Sequence, residues 1–184
     1  MDALFLIRQH ARYNRWINDR IMSAAARLSA DELAADQRAF FGSIIETLNH
    51  VVVGDSIWLA RFAKASGPGS EPLRSAASWL PRPGALNEVL EPALSGLDPL
   101  RARIDELIIE WTGALAGTEL DQVLAYTNTA GRPFRRPYGL LILHFFNHQT
   151  HHRGQVSTLL FQNGIDIGVT DMLATIDEAP QSDT

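Results

Sequence analysis

Four of the six histidines in this chain of 184 residues fall between His144 and His152, in the run His144-Phe-Phe-Asn147-His148-Gln149-Thr-His151-His152-Arg153-Gly-Gln155. Neutral imidazole is the commonest protein ligand for a transition metal, so metal binding is the leading reading of this run. The chain has no cysteine. Disulfides, thiolate ligands and a cysteine nucleophile are therefore absent together, and a bound metal has to rely on imidazole and carboxylate. Any thiol chemistry needs a thiol from outside.

Helical geometry sorts the cluster. At about 100° per residue, Leu141, Ile142, Phe145, Val156, Leu159 and Leu160 form one apolar arc. His152 lies on that arc and His148 at its edge, whereas His144 and His151 fall on its flank. His148 and His152 also have the i, i+4 spacing that brings two side chains ~5–6 Å apart at Cβ. His144 and His152 are two turns apart, a rise of ~12 Å, so one ion does not reach both. His144 is expected as a pocket residue beside the site.

Catalytic sites of the zinc type use three protein ligands, so another segment has to contribute. His50 is the natural candidate. It sits at the shoulder of an apolar stripe made by Ile44, Leu48, Val51, Trp58 and Phe62, with Gly54 leaving space one turn on. His10 competes geometrically, because it and Asn14 share a face with Ile7, Ile17, Ile21 and Leu28. A lone histidine on such a face is more often a hydrogen-bonded core residue. Asp55 occupies a stripe position and needs a partner, either an arginine or a ligating imidazole. Asn147, Gln149 and Arg153 are candidates to orient a substrate carboxylate or carbonyl, and Arg153 equally to cap a salt bridge between helices.

The elements that must position these residues are four helical segments, Ala3 to Leu28, Gly42 to Ala65, Asp98 to Ala116 and Pro137 to Asn163. Ser29 can cap a short acidic segment, and Asn163-Gly164 suits a left-handed C-cap. The long Gly-, Pro- and Ser-rich stretch from Ser66 to Pro99 predicts a crossover between the second and third helices. Val123 to Phe134 reads as a β-hairpin turning at Asn128 to Gly131 and closing one end. The expectation is an all-α fold forming one domain over residues 1–176, with residues 177–184 as a disordered acidic tail.

Composition supports one compact core, with 46% hydrophobic residues. A net charge of −5 leaves no footprint for nucleic acid. Fifteen of sixteen basic residues are arginine, and Arg8, Arg12, Arg15 and Arg20 on the first helix read as a solvated face. No stretch approaches the ~20 apolar residues of a membrane helix, and the N-terminus lacks signal-peptide order. The expectation is a soluble cytoplasmic protein with neither a membrane nor a nucleic-acid partner.

The competing reading of the cluster is a histidine-rich helix whose side chains hydrogen-bond in the core or face solvent. Gln149 stands where the zinc-protease motif H-E-x-x-H needs its general-base glutamate, which disfavours that class. The chain resembles the DinB-like (DinB/YfiT-type) metal-binding proteins over almost its whole length. The resemblance rests on Tyr13-Asn14-Arg15-Trp16-Ile-Asn18, on Phe40-Phe41-Gly42-Ser43 through His50 to Asp55-Ser-Ile-Trp58, on Tyr126-Thr-Asn-Thr-Ala-Gly131, and most specifically on His144 to Gln155. It implies a four-helix bundle with a long crossover, assembled as a homodimer, and a three-histidine site of His50, His148 and His152.

Three neutral imidazoles leave an ion its full charge and an open position. Such an ion lowers the pKa of bound water or holds a thiol as thiolate. Zinc and nickel are the leading metals, with iron and manganese accommodated. The family includes proteins similar to transferases and isomerases that use mycothiol, bacillithiol or glutathione. The expected function is therefore metal-dependent turnover of a small molecule, of the thiol-dependent transferase, isomerase or hydrolase type, with a metal-stabilised bundle without turnover as the alternative. Metal occupancy is expected to fall below pH ~6.5, where imidazole protonates.

Overall fold

The computed structural model describes residues 2–178. Most of the acidic tail expected from the sequence, residues 179–184, lies outside them. Among the described residues are six α-helices and one two-stranded sheet: α1 (Ala3–Ala25), α2 (Ala30–Ala34), α3 (Ile44–Phe62), α4 (Ser70–Ser75), α5 (Leu94–Ala114), β1 (Val123–Thr127), β2 (Pro133–Pro137) and α6 (Tyr138–Gln162). The chain is thus mostly helical, with a small hairpin before the last helix, as the pattern predicts. None of these helices is long and apolar enough to cross a membrane.

Local chemistry marks the helix ends. Ser29 and Glu32 form a capping box at α2, and Ser43 and Glu46 form another at α3. In each, the serine hydroxyl accepts from the N3 amide and the glutamate returns to the N-cap amide, satisfying two donors that the helix cannot. Gly164 ends α6 with φ +76°, the left-handed conformation expected of it. In the hairpin, Asn128 Oδ1 accepts from the amides of Ala130 and Arg132, and Gly131 takes φ +79°.

Two boundaries differ instructively. α5 begins at Leu94, a turn before the expected Asp98, so that Pro99 falls inside it. Proline there forfeits one intrahelical bond, which is offset by burial of Leu97. The crossover is not bare loop either, since it carries α4 and a 3₁₀ turn at Ala76–Ser78. The arginine face of α1 is solvated as expected at Arg8, Arg12 and Arg15, which are exposed, but two of its arginines also reach backbone carbonyls. Arg8 donates to the carbonyls of Thr112, Gly113 and Leu115, the negative end of α5, and Arg20 donates to Ile167 O at 2.8 Å.

The four long helices pack in a closed set of pairs, α1 against α5 and α6, and α3 against α5 and α6. Near the hairpin the centre is aromatic: Phe62 stacks on Trp111 at 5.1 Å, and both meet Phe145. Trp111 Nε1 donates to the Tyr138 hydroxyl at 3.1 Å, so the buried indole and phenol are not left unpaired. Burial of each such ring contributes ~2–3 kcal/mol. Another part of the interior is ionic. Asp55, Arg101, Asp105, Gln149 and Arg153 are all buried, and with Asn14 and Asn18 they draw on all four long helices.

Candidate metal centre

His50 on α3 faces His148 and His152 on α6, and one ligand atom from each falls within 4.8 Å of the other two. The ring centroids are 4.4 Å apart for His50 and His152, 4.5 Å for His148 and His152, and 5.3 Å for His50 and His148. One turn after His50, Gly54 lets α6 close: a Cβ there would stand 2.6 Å from His148 Cε1. Glycine at this position is a requirement of the histidine's placement.

Two of the rings are already oriented. His50 Nδ1 lies 2.8 Å from the carbonyl of Leu86, which can only accept, so Nδ1 carries the proton and Nε2 presents its lone pair. His152 Nδ1 lies 2.8 Å from Gln155 Oε1, with the same consequence. Partners on the non-ligating nitrogen are what metal-binding histidines normally have. Phe41 stacks on His50 at 3.9 Å and meets His152 edge-on at 5.5 Å, restricting both rings.

Burial favours the neutral form of all three. It lowers the pKa of His50 and His152. His148 is pushed down to about 3 by burial first and then by the neighbouring imidazoles. Three neutral imidazoles, each with a ligand atom within 4.8 Å of the others, fit a divalent cation. For metal–nitrogen bonds of ~2.0–2.1 Å the nitrogens stand roughly 3.4 Å apart in a tetrahedral shell, a separation the set reaches by drawing together from within 4.8 Å. The cluster opens onto a cleft of about 690 Å³ lined also by Phe40, Phe41, Glu46, Leu86 and Asn87, with room for a small molecule beside the ion.

The remaining candidates go elsewhere. His144 packs edge-on against Trp58 at 5.1 Å in a neighbouring pocket, and burial lowers its pKa. His151 is exposed beside Gln155. His10 stacks on Phe146 at 5.5 Å, outside the cluster. Asp55 takes the arginine alternative: Arg101 Nη1 donates to it at 2.5 Å and Gln149 Nε2 at 2.7 Å.

The substrate-orienting roles expected on α6 need correction. Asn147 is exposed and lies outside the cleft, because it projects about 200° from Phe145. Gln149 and Arg153 turn into the core, the latter donating to Asn14 Oδ1 and Thr150 Oγ1. Arg153 therefore joins helices through hydrogen bonds with no carboxylate involved.

Several supporting residues escaped the sequence reading. Gln155 was findable, being three residues after His152 and so on the neighbouring turn. Glu46, one turn before His50 and on the cleft wall, carried the S-x-x-E cap signal. The Leu86 carbonyl had no signal at all, since any residue type supplies one.

A model of the DinB family matches residues 2–183. Protein DinB of Bacillus subtilis (strain 168) is similar to this chain, with 26% identity over 159 residues that cover 86% of this chain and 87% of that protein. No solved structure matches significantly.

Proposed function

This chain belongs to the DinB family, and on that premise we propose that it is a metal-dependent enzyme in which His50, His148 and His152 hold one divalent ion. The observation carrying this reading is the convergence of three imidazoles within 4.8 Å, two of them with Nδ1 already committed, on an open cleft. The ion supplies Lewis acidity and an open coordination position for water or a thiol.

The chain's own groups do the rest. Leu86 O and Gln155 Oε1 hold the protons of His50 and His152 at Nδ1, and Phe41 shields one side of the site from water. Glu46 places a carboxylate on the cleft wall, but its Oε2 is engaged with Ser43. The substrate in this reading is a small molecule, and any thiol that takes part in its turnover comes from outside, because the chain has no cysteine. Transferase, isomerase and hydrolase chemistry all fit a site with an open position, and zinc or nickel suits the donor set best. The four long helices form a four-helix bundle in this reading, and two copies form a homodimer, which light scattering on the eluted protein tests directly.

The decisive measurement is elemental analysis of protein purified without a histidine tag, beside His148→Ala. One equivalent of metal is expected in the parent and strongly reduced metal in the variant. Unchanged stoichiometry in the variant would overturn the ligand assignment. Metal-loaded protein is then screened with thiols and electrophiles. Silence across a broad panel that includes thiol-free hydrolysis would leave binding without turnover as the function.

A further inference from the structure

Beside the histidine cleft lies a second pocket of about 580 Å³, between the C-terminal half of α3, the hairpin and the start of α6. Its walls are aromatic. Trp58 meets Tyr126 at 5.3 Å and His144 at 5.1 Å, and Tyr126 stacks on Phe134 at 5.6 Å. Strand alternation explains the arrangement: Tyr126 pairs with Phe134 across the hairpin, and Arg136, two residues on, shares the face of Phe134.

Two guanidinium groups complete it. Arg61 lies 4.6 Å from the Trp58 ring and 5.0 Å from that of Tyr126, and Arg136 lies 5.2 Å from Phe134. Among the described residues no carboxylate lines the pocket, and neither arginine forms a salt bridge. Arg61 is half-buried with one carbonyl partner, Thr127 O at 3.1 Å. Both cations line the same pocket, Arg136 from an exposed position on β2, so its wall carries positive charge in a chain of net charge −5. A half-desolvated guanidinium gains most from a ligand that brings its own charge and matches its planar fork.

We propose that this pocket binds a small organic acid, with its carboxylate held by Arg61 and Arg136 and its flat apolar body against Trp58, Tyr126 and Phe134. The aromatic walls favour an organic body over a bare inorganic anion, because a free anion leaves them wet. His144 forms the partition on the cluster's side, its ring 6.1 Å from that of His148. The pocket itself contains none of the three clustered histidines, so the proposal stands whether or not they bind metal.

Calorimetric titration of the chelator-treated full chain with benzoate, benzamide and inorganic phosphate tests it, since chelation removes any metal that would itself bind a carboxylate. Saturable benzoate binding is expected, with benzamide and phosphate each weaker by about tenfold or more. Arg136→Gln should weaken benzoate by about tenfold. Arg135→Gln, which removes the same charge from the opposite face of β2, should leave it unchanged. Absence of benzoate binding, parity of benzamide or phosphate with benzoate, or equal effects of the two arginine variants would each overturn the proposal.

Discussion

At the scale of single residues, Gly54 is the most informative position in the site, because stability and metal affinity should part company there. A glycine inside a helix costs ~0.8–1.0 kcal/mol relative to alanine, so Gly54→Ala gains backbone stability. The added Cβ, however, would stand 2.6 Å from His148 Cε1. The imidazole is the mobile partner in that clash, and it must rotate away from the other two rings. The expected outcome is a melting temperature unchanged or raised in the metal-free protein, with metal affinity lowered ~10–100-fold. Competition against a colorimetric chelator measures the affinity, and an alanine variant that binds metal like the parent would remove Gly54 from the site. Protonation also acts residue by residue. His50, His148 and His152 all have lowered pKa values, His148 reaching about 3. In each, the folded pKa lies below the unfolded one, so the stabilising contribution is present above ~6.5 and is lost as pH falls through the folded value. Acid release of metal should therefore have its midpoint below ~6.5, lower than ordinary imidazoles predict. Equilibrium dialysis at stepped pH, with free metal held at a concentration that saturates the site at pH ~8, locates it, and half-release at or above ~6.5 would contradict the lowered pKa values.

At the scale of elements, the crossover between α3 and α5 acts as part of the site. Asn49 fastens it: Oδ1 accepts from the amides of Leu90 and Glu91, and Nδ2 donates to the carbonyls of Ile45 and Glu91. Four residues before that clamp, the Leu86 carbonyl orients His50. Asn49→Ala leaves two amides without their partner, at a cost of ~1–3 kcal/mol, and frees the strap that sets the His50 tautomer. Metal affinity should fall about tenfold with His50 still present, as read by the same chelator competition. Retention of full affinity would show that the strap is dispensable. This contact also marks where sequence reasoning ends. His148 and His152 were legible because a helix converts spacing into direction, and the Ser29 cap and the Asn128–Gly131 turn were legible because they use local side-chain chemistry. The start of α5 was misplaced because Pro99 looks like a first-turn residue while burial of Leu97 extends the helix past it. The clamp joins Asn49 to backbone 41 and 42 residues away, and backbone carries no residue code. Asp55 announced that it needed a partner, but spacing alone did not identify Arg101.

At the scale of the whole molecule, the histidine cluster rests beside an ionic core that ties together the four long helices. Arg101 is its centre, donating to Asp55 at 2.5 Å and twice to Asp105 at 3.0 Å. Asn14 and Asn18 reach Asp105 from α1, while Gln149 reaches Asp55 from α6. Asp55 directly follows Gly54, and Gln149 directly follows His148, so the core and the metal ligands share two short stretches of backbone. Two buried carboxylates against two buried guanidiniums, those of Arg101 and Arg153, balance in charge, and removal of one member leaves the others uncompensated. Arg101→Leu should therefore destabilise the protein by ~3–5 kcal/mol near neutral pH. The pH dependence has a definite sign. Burial raises both carboxyls, Asp105 from 3.8 to about 6, with Arg101 the leading opposing influence. Carboxyls whose folded pKa is raised contribute stability at low pH that is lost as pH rises through the folded value. Without Arg101 their pKa values climb further, so the penalty of the variant should be largest at neutral pH and shrink on acidification. Comparing parent and variant at each pH cancels the opposite trend of the histidines, which both proteins share. Urea unfolding of the metal-free proteins at neutral pH and at about pH 5 tests this. A difference in stability that is constant with pH would mean that the two carboxyls are already neutral in the parent, and the core would then be a hydrogen-bonded network in place of an ionic one.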